Sequence, residues 1–189
     1  KHLWRIIIGY SRYKLLTLAI MAEGIVFTLA LFFAWMWNIK LFPLTRNPFR
    51  DIFVGTSGAL IPFAFFVFII SKKAENIPLI GSLRKTLIVD VRSLFSQAKL
   101  LDLCLISIFA GVAEELLFRG VVQVKFGIVA ASIIFGLFHF ITPAYCILAG
   151  IMGFYVGTLF HEYQSILIPI LLHFIYDLGA LVYLRYFIK

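Results

Sequence analysis

The sequence predicts an all-α membrane protein that crosses the bilayer about six times and forms one domain over residues 1–189. Of its 189 residues, 62% are hydrophobic and only 14% are charged, whereas a soluble domain has about 45–50% apolar and about 25% charged residues. A soluble core of this length could not bury so much apolar surface. No polar linker is long enough to divide the chain into two domains.

Apolar runs of roughly the length needed to cross a bilayer recur along the chain. The predicted spans are 15–37, 52–70, 100–120, 126–141, 144–160 and 166–186. Thr142 followed by Pro143 is typical of an N-cap with proline at the first helical position, so the fifth span is expected to begin there. Pro62 and Pro169 fall inside predicted spans and are expected to kink them.

The segment between the second and third spans has the pattern of an amphipathic helix. Apolar residues recur at spacings of three and four, and polar residues fill the other face. The apolar positions are Leu87, Val91, Leu94, Phe95, Ala98 and Leu101, and the polar ones are Arg84, Lys85, Asp90, Arg92, Gln97 and Lys99. Such a helix is expected to lie in the membrane interface, although packing on another protein would give the same pattern.

The distribution of basic residues indicates the orientation of the chain in a membrane and does not indicate a nucleic-acid partner. The net charge is +8, but the basic residues are spread through the loops between spans, so no nucleic-acid partner is expected. Most of them fall in segments that are cytoplasmic if the N-terminus is inside. This bias predicts that both termini are cytoplasmic. The predicted location of the protein is the plasma membrane if the source is bacterial. Cys104 and Cys146 lack CxxC spacing and predict neither a disulfide framework nor a metal site.

Ionisable side chains at apolar depth are the strongest functional signal, because each costs at least about 2.5–3.5 kcal/mol to insert into a bilayer. In the third span, Glu115 and Arg119 are four residues apart and can pair on one helix face. Glu114 is rotated by about 100° from Glu115. Glu115 is therefore expected to be structural and Glu114 to face a polar cavity. The alternative is that both carboxylates serve Arg119.

Later spans add two histidines. His139 follows Phe135 by four residues in the fourth span, and His173 precedes Asp177 by four residues in the last span. A carboxylate one turn from a histidine can accept its ring proton and fix its tautomer. Glu23 in the first span has no partner nearby in sequence, and no role is assigned to it.

These groups together could hydrolyse a peptide bond inside the bilayer. A carboxylate and a histidine that share a water molecule can act as a general base, and burial makes a glutamate a stronger base. A second histidine can stabilise the developing oxyanion. The hypothesis requires Glu114, His139 and His173 to meet at one wet cavity among spans three, four and six. His2 and His161 are expected at the terminus and the surface.

Three motifs in order, EExxxR, FxxxH and HxxxD, resemble the CPBP family of intramembrane endopeptidases. The family includes the CaaX-prenyl endoproteases and bacterial proteins of the Abi type linked to bacteriocins. The resemblance covers about residues 100–178 and is carried by Glu114, Glu115, Arg119, Phe135, His139, His173 and Asp177. It implies a helical fold around a cavity, Glu114 as general base and His139 sharing its water. His173 and position 177 would stabilise the oxyanion, and Glu115 with Arg119 would support the site.

Asp177 departs from the pattern of the CaaX endoproteases that this chain resembles, because the last motif position is asparagine in those proteins. An asparagine amide donates a hydrogen bond, whereas an ionised aspartate cannot. Asp177 could instead be protonated, orient His173, or bind a metal. Two imidazoles and a carboxylate suit zinc, so a site formed by His139, His173 and Asp177 stays open. The HExxH signature of zinc proteases is absent, and no cofactor is expected to be required.

Two other functions are compatible with the same residues. Buried Glu, His and Asp side chains also form proton relays in coupled transporters, although no inverted repeat relates the two halves of this chain. A non-catalytic immunity or scaffold protein could keep the same helices. The favoured prediction is an endopeptidase, glutamate-type or metal-dependent. Its substrate would be a peptide or membrane-anchored protein in the lipid bilayer, with no specific protein partner.

Overall fold

The computed structural model describes residues 11–41, 44–45 and 47–188, and every regular element in these ranges is helical, as predicted. The helices are α1 (Arg12–Met36), α2 (Pro48–Gly58), α3 (Leu60–Ile70), α4 (Pro78–Lys85), α5 (Arg92–Leu94), α6 (Leu100–Leu117), α7 (Val124–Phe138), α8 (Pro143–Tyr163) and α9 (Leu167–Tyr186). His2 and most of the basic segment 1–14 lie outside the described residues.

Five helical runs in the described ranges are long and apolar enough to cross a membrane, so the chain is a multi-pass integral membrane protein. They are Arg12–Met36, Pro48–Ile70, Leu100–Phe138, Pro143–Tyr163 and Leu167–Tyr186. The prediction of six separate spans changes at one place. No loop separates the predicted spans 100–120 and 126–141 at 121–125, because a π-helical stretch, Phe118–Gln123, continues α6 into α7, and the helix is interrupted only at Gly127.

The run from α6 to α7 folds back on itself at Gly127. This residue has φ 84° and ψ 168°, a region that essentially only glycine occupies. The rings of Phe118 and Phe135 then lie 5.0 Å apart, whereas a straight helix would separate them by about 25 Å. The helix from Gly127 to Phe138 is only about 17 Å long. It is therefore too short to cross a bilayer of about 30 Å alone.

Helices α6 and α9 cross closely at Gly111. A β-carbon on Gly111 would come within 3.1 Å of the Ile170 carbonyl oxygen and 3.2 Å of the Phe174 amide nitrogen. The absence of a side chain is what lets the two backbones approach this far. Because Glu115 lies one turn beyond Gly111, and His173 one turn from Ile170, the crossing places these two side chains opposite each other.

Most of the surface of helix α1 is not covered by other described parts of the chain. Only Leu15, Ala30 and Ala34 are buried along it, an exposure that suits lipid because a helix satisfies its own backbone hydrogen bonds. Its start is fixed to α6 by an ion pair between Arg12 and Asp102. Arg12 Nε lies 2.5 Å from Asp102 Oδ2, and Arg12 Nη2 lies 2.7 Å from Oδ1. This ion pair holds α1 beside α6.

Proline positions follow the prediction in part. Helix α8 begins as expected, with Thr142 accepting a hydrogen bond from the Tyr145 amide and Pro143 at the first position. Helices α2 and α3 break near Pro62, which lacks the N–H that would bond Gly58, and the Tyr155 hydroxyl donates to that carbonyl at 3.0 Å. The predicted kink at Pro169 is wrong, because this residue lies in the first turn of α9, where its amide is not needed.

The predicted amphipathic segment is helical but ends earlier than expected. A run from α4 through the π-helical stretch Thr86–Val91 ends with α5 at Leu94, and Leu101 is an exposed residue of α6. A turn therefore separates Leu101 from the predicted apolar stripe.

The apolar face of this run packs within the chain itself. Leu83 and Leu87 are buried in a cluster with Phe66, Ile69 and Leu184. The face therefore rests on α3 and α9, and the location of this run in the membrane interface stays a prediction.

Replacing Gly127 with alanine is expected to destabilise the fold by about 1–3 kcal/mol. A β-carbon at Gly127 would meet nothing within 4 Å, so the penalty comes from backbone conformation alone. Gly24 is the matched control, since a β-carbon there also meets nothing within 4 Å but the residue is helical. Gly24→Ala should be neutral or stabilising by about 0.5–1 kcal/mol. Unfolding midpoints in detergent measure both, and equal midpoints would contradict the reversal at Gly127.

Candidate active site

A cavity of about 250 Å³ lies among the helices, with mainly apolar walls and a cluster of ionisable groups. Every residue predicted from the three motifs lines it, namely Glu114, Glu115, Arg119, Phe135, His139, His173 and Asp177. Side chains from α6, α7 and α9 therefore converge on one space, which is the polar cavity expected between helices.

Glu114 and His139 face each other in this cavity. Glu114 Oε2 lies 3.5 Å from His139 Nε2 and has no hydrogen-bond partner. His139 Nδ1 lies 2.9 Å from the Phe135 carbonyl oxygen, which can only accept, so Nδ1 carries the proton. In the neutral ring, Nε2 is then an acceptor. The pair presents two acceptor atoms to whatever molecule lies between them.

The position of His139 follows from the end of α7. His139 is the residue that closes this helix, with its amide bonded to carbonyl groups of the last turn. Its ring lies over Phe135, with 4.3 Å between centroids and 31° between planes. The Phe135 ring and carbonyl thus fix the direction and the tautomer of the imidazole.

Glu115 is fully buried and lies at the centre of a charged cluster. It accepts hydrogen bonds from Arg119 at 3.0 Å and from His173 Nδ1 at 2.6 Å. Arg119 also donates to the Gly153 carbonyl oxygen at 3.3 Å, and its guanidinium carbon lies 4.5 Å from the centre of the Phe135 ring. The predicted pairing of Glu115 with Arg119 is present, and Glu114 accepts no hydrogen bond from this arginine. The geometry favours separate positions for the two carboxylates.

His173 differs from expectation in its closest partner. Asp177, one turn away, was expected to accept the ring proton, but its Oδ2 lies 3.4 Å from Nε2. The short hydrogen bond instead joins Nδ1 to Glu115. The reason is the close crossing at Gly111, which brings Glu115 of α6 to the His173 ring. Residue spacing along α9 alone does not show this contact. Both ring nitrogens consequently face carboxylates.

The zinc site left open by the sequence does not fit this geometry. In the ranges that the structure describes, no three His, Cys, Asp or Glu side chains are grouped so that they could hold a metal ion. His139 Nε2 faces Glu114, while His173 Nε2 faces Asp177. The donor atoms form two separate pairs, and each Nδ1 already has a partner. These residues therefore do not provide a three-ligand site.

Glu23 lines the cavity, although no role was assigned to it from the sequence. It comes from α1, its Oε2 is buried, and this oxygen has no hydrogen-bond partner. Glu114 and Asp177 line the same cavity. The sequence marks Glu23 as an ionisable residue in an apolar run. Its neighbours lie on α6 and α9, so spacing along α1 could not reveal them.

Comparison with known proteins identifies the same part of the chain. Residues 96–179 match the family described as Type II CAAX prenyl endopeptidase Rce1-like. YpbD of Bacillus subtilis, described as uncharacterized, is 29% identical over 89 residues, which cover 46% of this chain and 47% of that protein. The chain thus matches about half the length of this relative. No solved structure matches the chain significantly. Residues 96–179 therefore carry the similarity to CAAX prenyl endopeptidases that the order of the three motifs predicted.

Proposed function

We propose that this protein is an intramembrane endopeptidase in which Glu114 and His139 activate a water molecule. The observation that carries the proposal is the facing pair of acceptors, Glu114 Oε2 and His139 Nε2, 3.5 Å apart in the cavity. A water molecule placed beside both atoms can donate a hydrogen bond to each. The match of residues 96–179 to a peptidase family supports the reaction class.

Hydrolysis would begin with proton transfer from water to Glu114. The water oxygen bonds to the carbonyl carbon of the substrate, and the carbonyl π electrons move to its oxygen. When the tetrahedral intermediate collapses, the C–N bond breaks and Glu114 returns the proton to the leaving nitrogen. His139 orients the water through Nε2. The products are a carboxylic acid and an amine, and Glu114 ends in its starting state.

His173 would stabilise the negative oxygen of the intermediate. Its ring lies between the carboxylates of Glu115 and Asp177, and two flanking negative charges favour the imidazolium, which donates from both nitrogens. Nδ1 is held by Glu115, so Nε2 is the nitrogen available to the cavity. Asp177 would orient this ring, because an ionised carboxylate cannot itself donate to an oxyanion.

The proposed substrate is a peptide or a membrane-anchored protein that reaches the cavity from the membrane. Mainly apolar walls with few polar groups suit such a chain. We propose cytoplasmic termini from the distribution of lysine and arginine, and the plasma membrane as the location in a bacterial source. The chemistry proposed for Glu114 and His139 requires no metal.

Glu114→Gln is expected to lower peptide cleavage by about 10²–10⁴-fold, because an amide cannot act as the general base. The assay is turnover of a quenched fluorescent peptide library by purified protein in detergent. Glu162→Gln is the matched control, since Glu162 is an exposed residue near the end of α8 and should keep the rate of the unmodified protein. Undiminished turnover in Glu114→Gln would remove this residue from the reaction.

Glu115→Gln should differ from Glu114→Gln in stability. It removes the negative partner of the fully buried Arg119 and leaves that charge uncompensated, which costs about 3–5 kcal/mol. Glu114 bonds neither Arg119 nor His173, so its substitution should change the unfolding midpoint little. Thermal unfolding of both variants in detergent makes the comparison. Equal losses of stability would mean that the two adjacent carboxylates have the same structural role.

Cleavage is expected to continue after treatment with strong metal chelators, because the proposed water is activated by protein atoms alone. The measurement is peptide turnover before and after chelation and dialysis, followed by addition of zinc. A loss of activity that zinc restores would show that a metal performs the activation instead.

A further inference from the structure

The oxyanion of the proposed reaction needs hydrogen-bond donors, and most polar groups of the cavity cannot provide them. Glu23, Glu114, Glu115 and Asp177 are acceptors when ionised. The side chains that can donate are Arg119, His139, His173, Tyr145 and Tyr176. An oxyanion is usually held by two or more donors, whereas His173 Nε2 supplies one.

Two of the other donors are already committed. The terminal nitrogens of Arg119 donate to Glu115 and to the Gly153 carbonyl oxygen. His139 Nδ1 is bonded to the Phe135 carbonyl oxygen, and its Nε2 is an acceptor in that tautomer. Arg119 has further N–H groups, but its side chain is only 2% exposed, and a neutral His139 ring would have to lose its bond to Phe135 to donate from Nε2. The remaining donors are the two phenols.

Tyr145 lines the same cavity as Glu114, His139 and His173, and so does Tyr176. Tyr176 shares α9 with His173, whereas Tyr145 belongs to α8. Tyr145 therefore supplies a donor from a different wall of the cavity than His173. Its hydroxyl forms no hydrogen bond with another side chain or backbone group of the described residues.

The start of α8 fixes the backbone of Tyr145. Thr142 accepts a hydrogen bond from the Tyr145 amide at 3.3 Å, and Pro143 occupies the first helical position. The tyrosine is therefore in the first turn of a capped helix, with its ring packed against the core cluster that contains Phe66 and Leu184. A fixed backbone and a packed ring restrict where the hydroxyl can point, which is the preorganisation that oxyanion stabilisation requires.

We propose that Tyr145 is the second oxyanion donor, with its hydroxyl donating a hydrogen bond to the substrate oxygen opposite His173. This inference rests on the proposed endopeptidase function. The phenol keeps its proton throughout, and no covalent bond forms to it. Tyr145 thereby supplies the donor that an ionised carboxylate at position 177 cannot provide.

Tyr145→Phe is expected to lower kcat by about 10²-fold while KM stays within about twofold, because the interaction forms in the transition state only. Tyr155→Phe is the matched control. It removes a phenol from the same helix, but that hydroxyl donates to the Gly58 carbonyl oxygen and lines no part of the cavity. The control should keep its kcat. An unchanged kcat in Tyr145→Phe, or the same loss in Tyr176→Phe instead, overturns the assignment.

Binding of a phosphinic peptide separates this role from a structural one. Its tetrahedral phosphinate carries the negative oxygen of the intermediate, so its Kd should rise with the loss of kcat in Tyr145→Phe. The corresponding uncleaved peptide, measured on the Glu114→Gln background, should bind equally well with and without Tyr145→Phe. A parallel weakening of both ligands would show that the substitution damages the cavity and would overturn the proposal.

A second replacement tests the proton itself if Tyr145→Phe does not fold. Difluorotyrosine at position 145 keeps the ring and hydroxyl but makes the phenol more acidic. The alkaline limb of the kcat profile should then move to lower pH, and an unmoved limb contradicts the proposal. If the unmodified protein cleaves no peptide, the endopeptidase function itself fails. If it cleaves and Glu114→Gln does not, only the results on Tyr145 decide this inference.

Discussion

The buried hydrogen bond between Glu115 and His173 is the interaction on which the arrangement of the cavity depends. It joins α6 to α9 at 2.6 Å, in a region where an isolated charge would be costly. Arg119 neutralises the carboxylate from one side and contacts the Phe135 ring from the other. This cluster therefore connects all three helices that carry the motifs. Removing any one of these side chains is expected to destabilise the fold, because the charges that remain are buried without their partner.

Adjacent glutamates can have different environments because helical rotation points them in different directions. Glu115 forms hydrogen bonds with Arg119 and His173, whereas Glu114 bonds neither of them and faces His139 across the cavity. The hydrogen bonds of Glu115 hold α6 against α9, while Glu114 remains available to a ligand. On the proposed mechanism, this arrangement combines a fixed framework with the general base one residue away, which would account for two adjacent carboxylates within an apolar helix.

Local periodicity predicted the parts of this structure that depend on one helix. The i, i+4 pair of Glu115 and Arg119, the cap at Thr142 and the helical class all follow from spacing. The predicted boundary between spans at 121–125 misses the break at Gly127, because a single glycine does not reveal a positive φ. The hydrogen bond of His173 with Glu115 and the surroundings of Glu23 could not be predicted, since they depend on how α1, α6 and α9 cross. The close approach at Gly111 is a tertiary property that a single sequence does not display.

The central claim is that Glu114 and His139 hold the attacking water at the carbonyl carbon of a peptide. A high-resolution experimental structure with a phosphinic peptide in the cavity tests it most directly. One phosphinate oxygen occupies the place of the attacking water, and the account predicts that it lies within about 3.2 Å of both a Glu114 carboxyl oxygen and His139 Nε2. A phosphinate bound elsewhere, or side chains of Glu114 and His139 that diverge around it, would contradict the account.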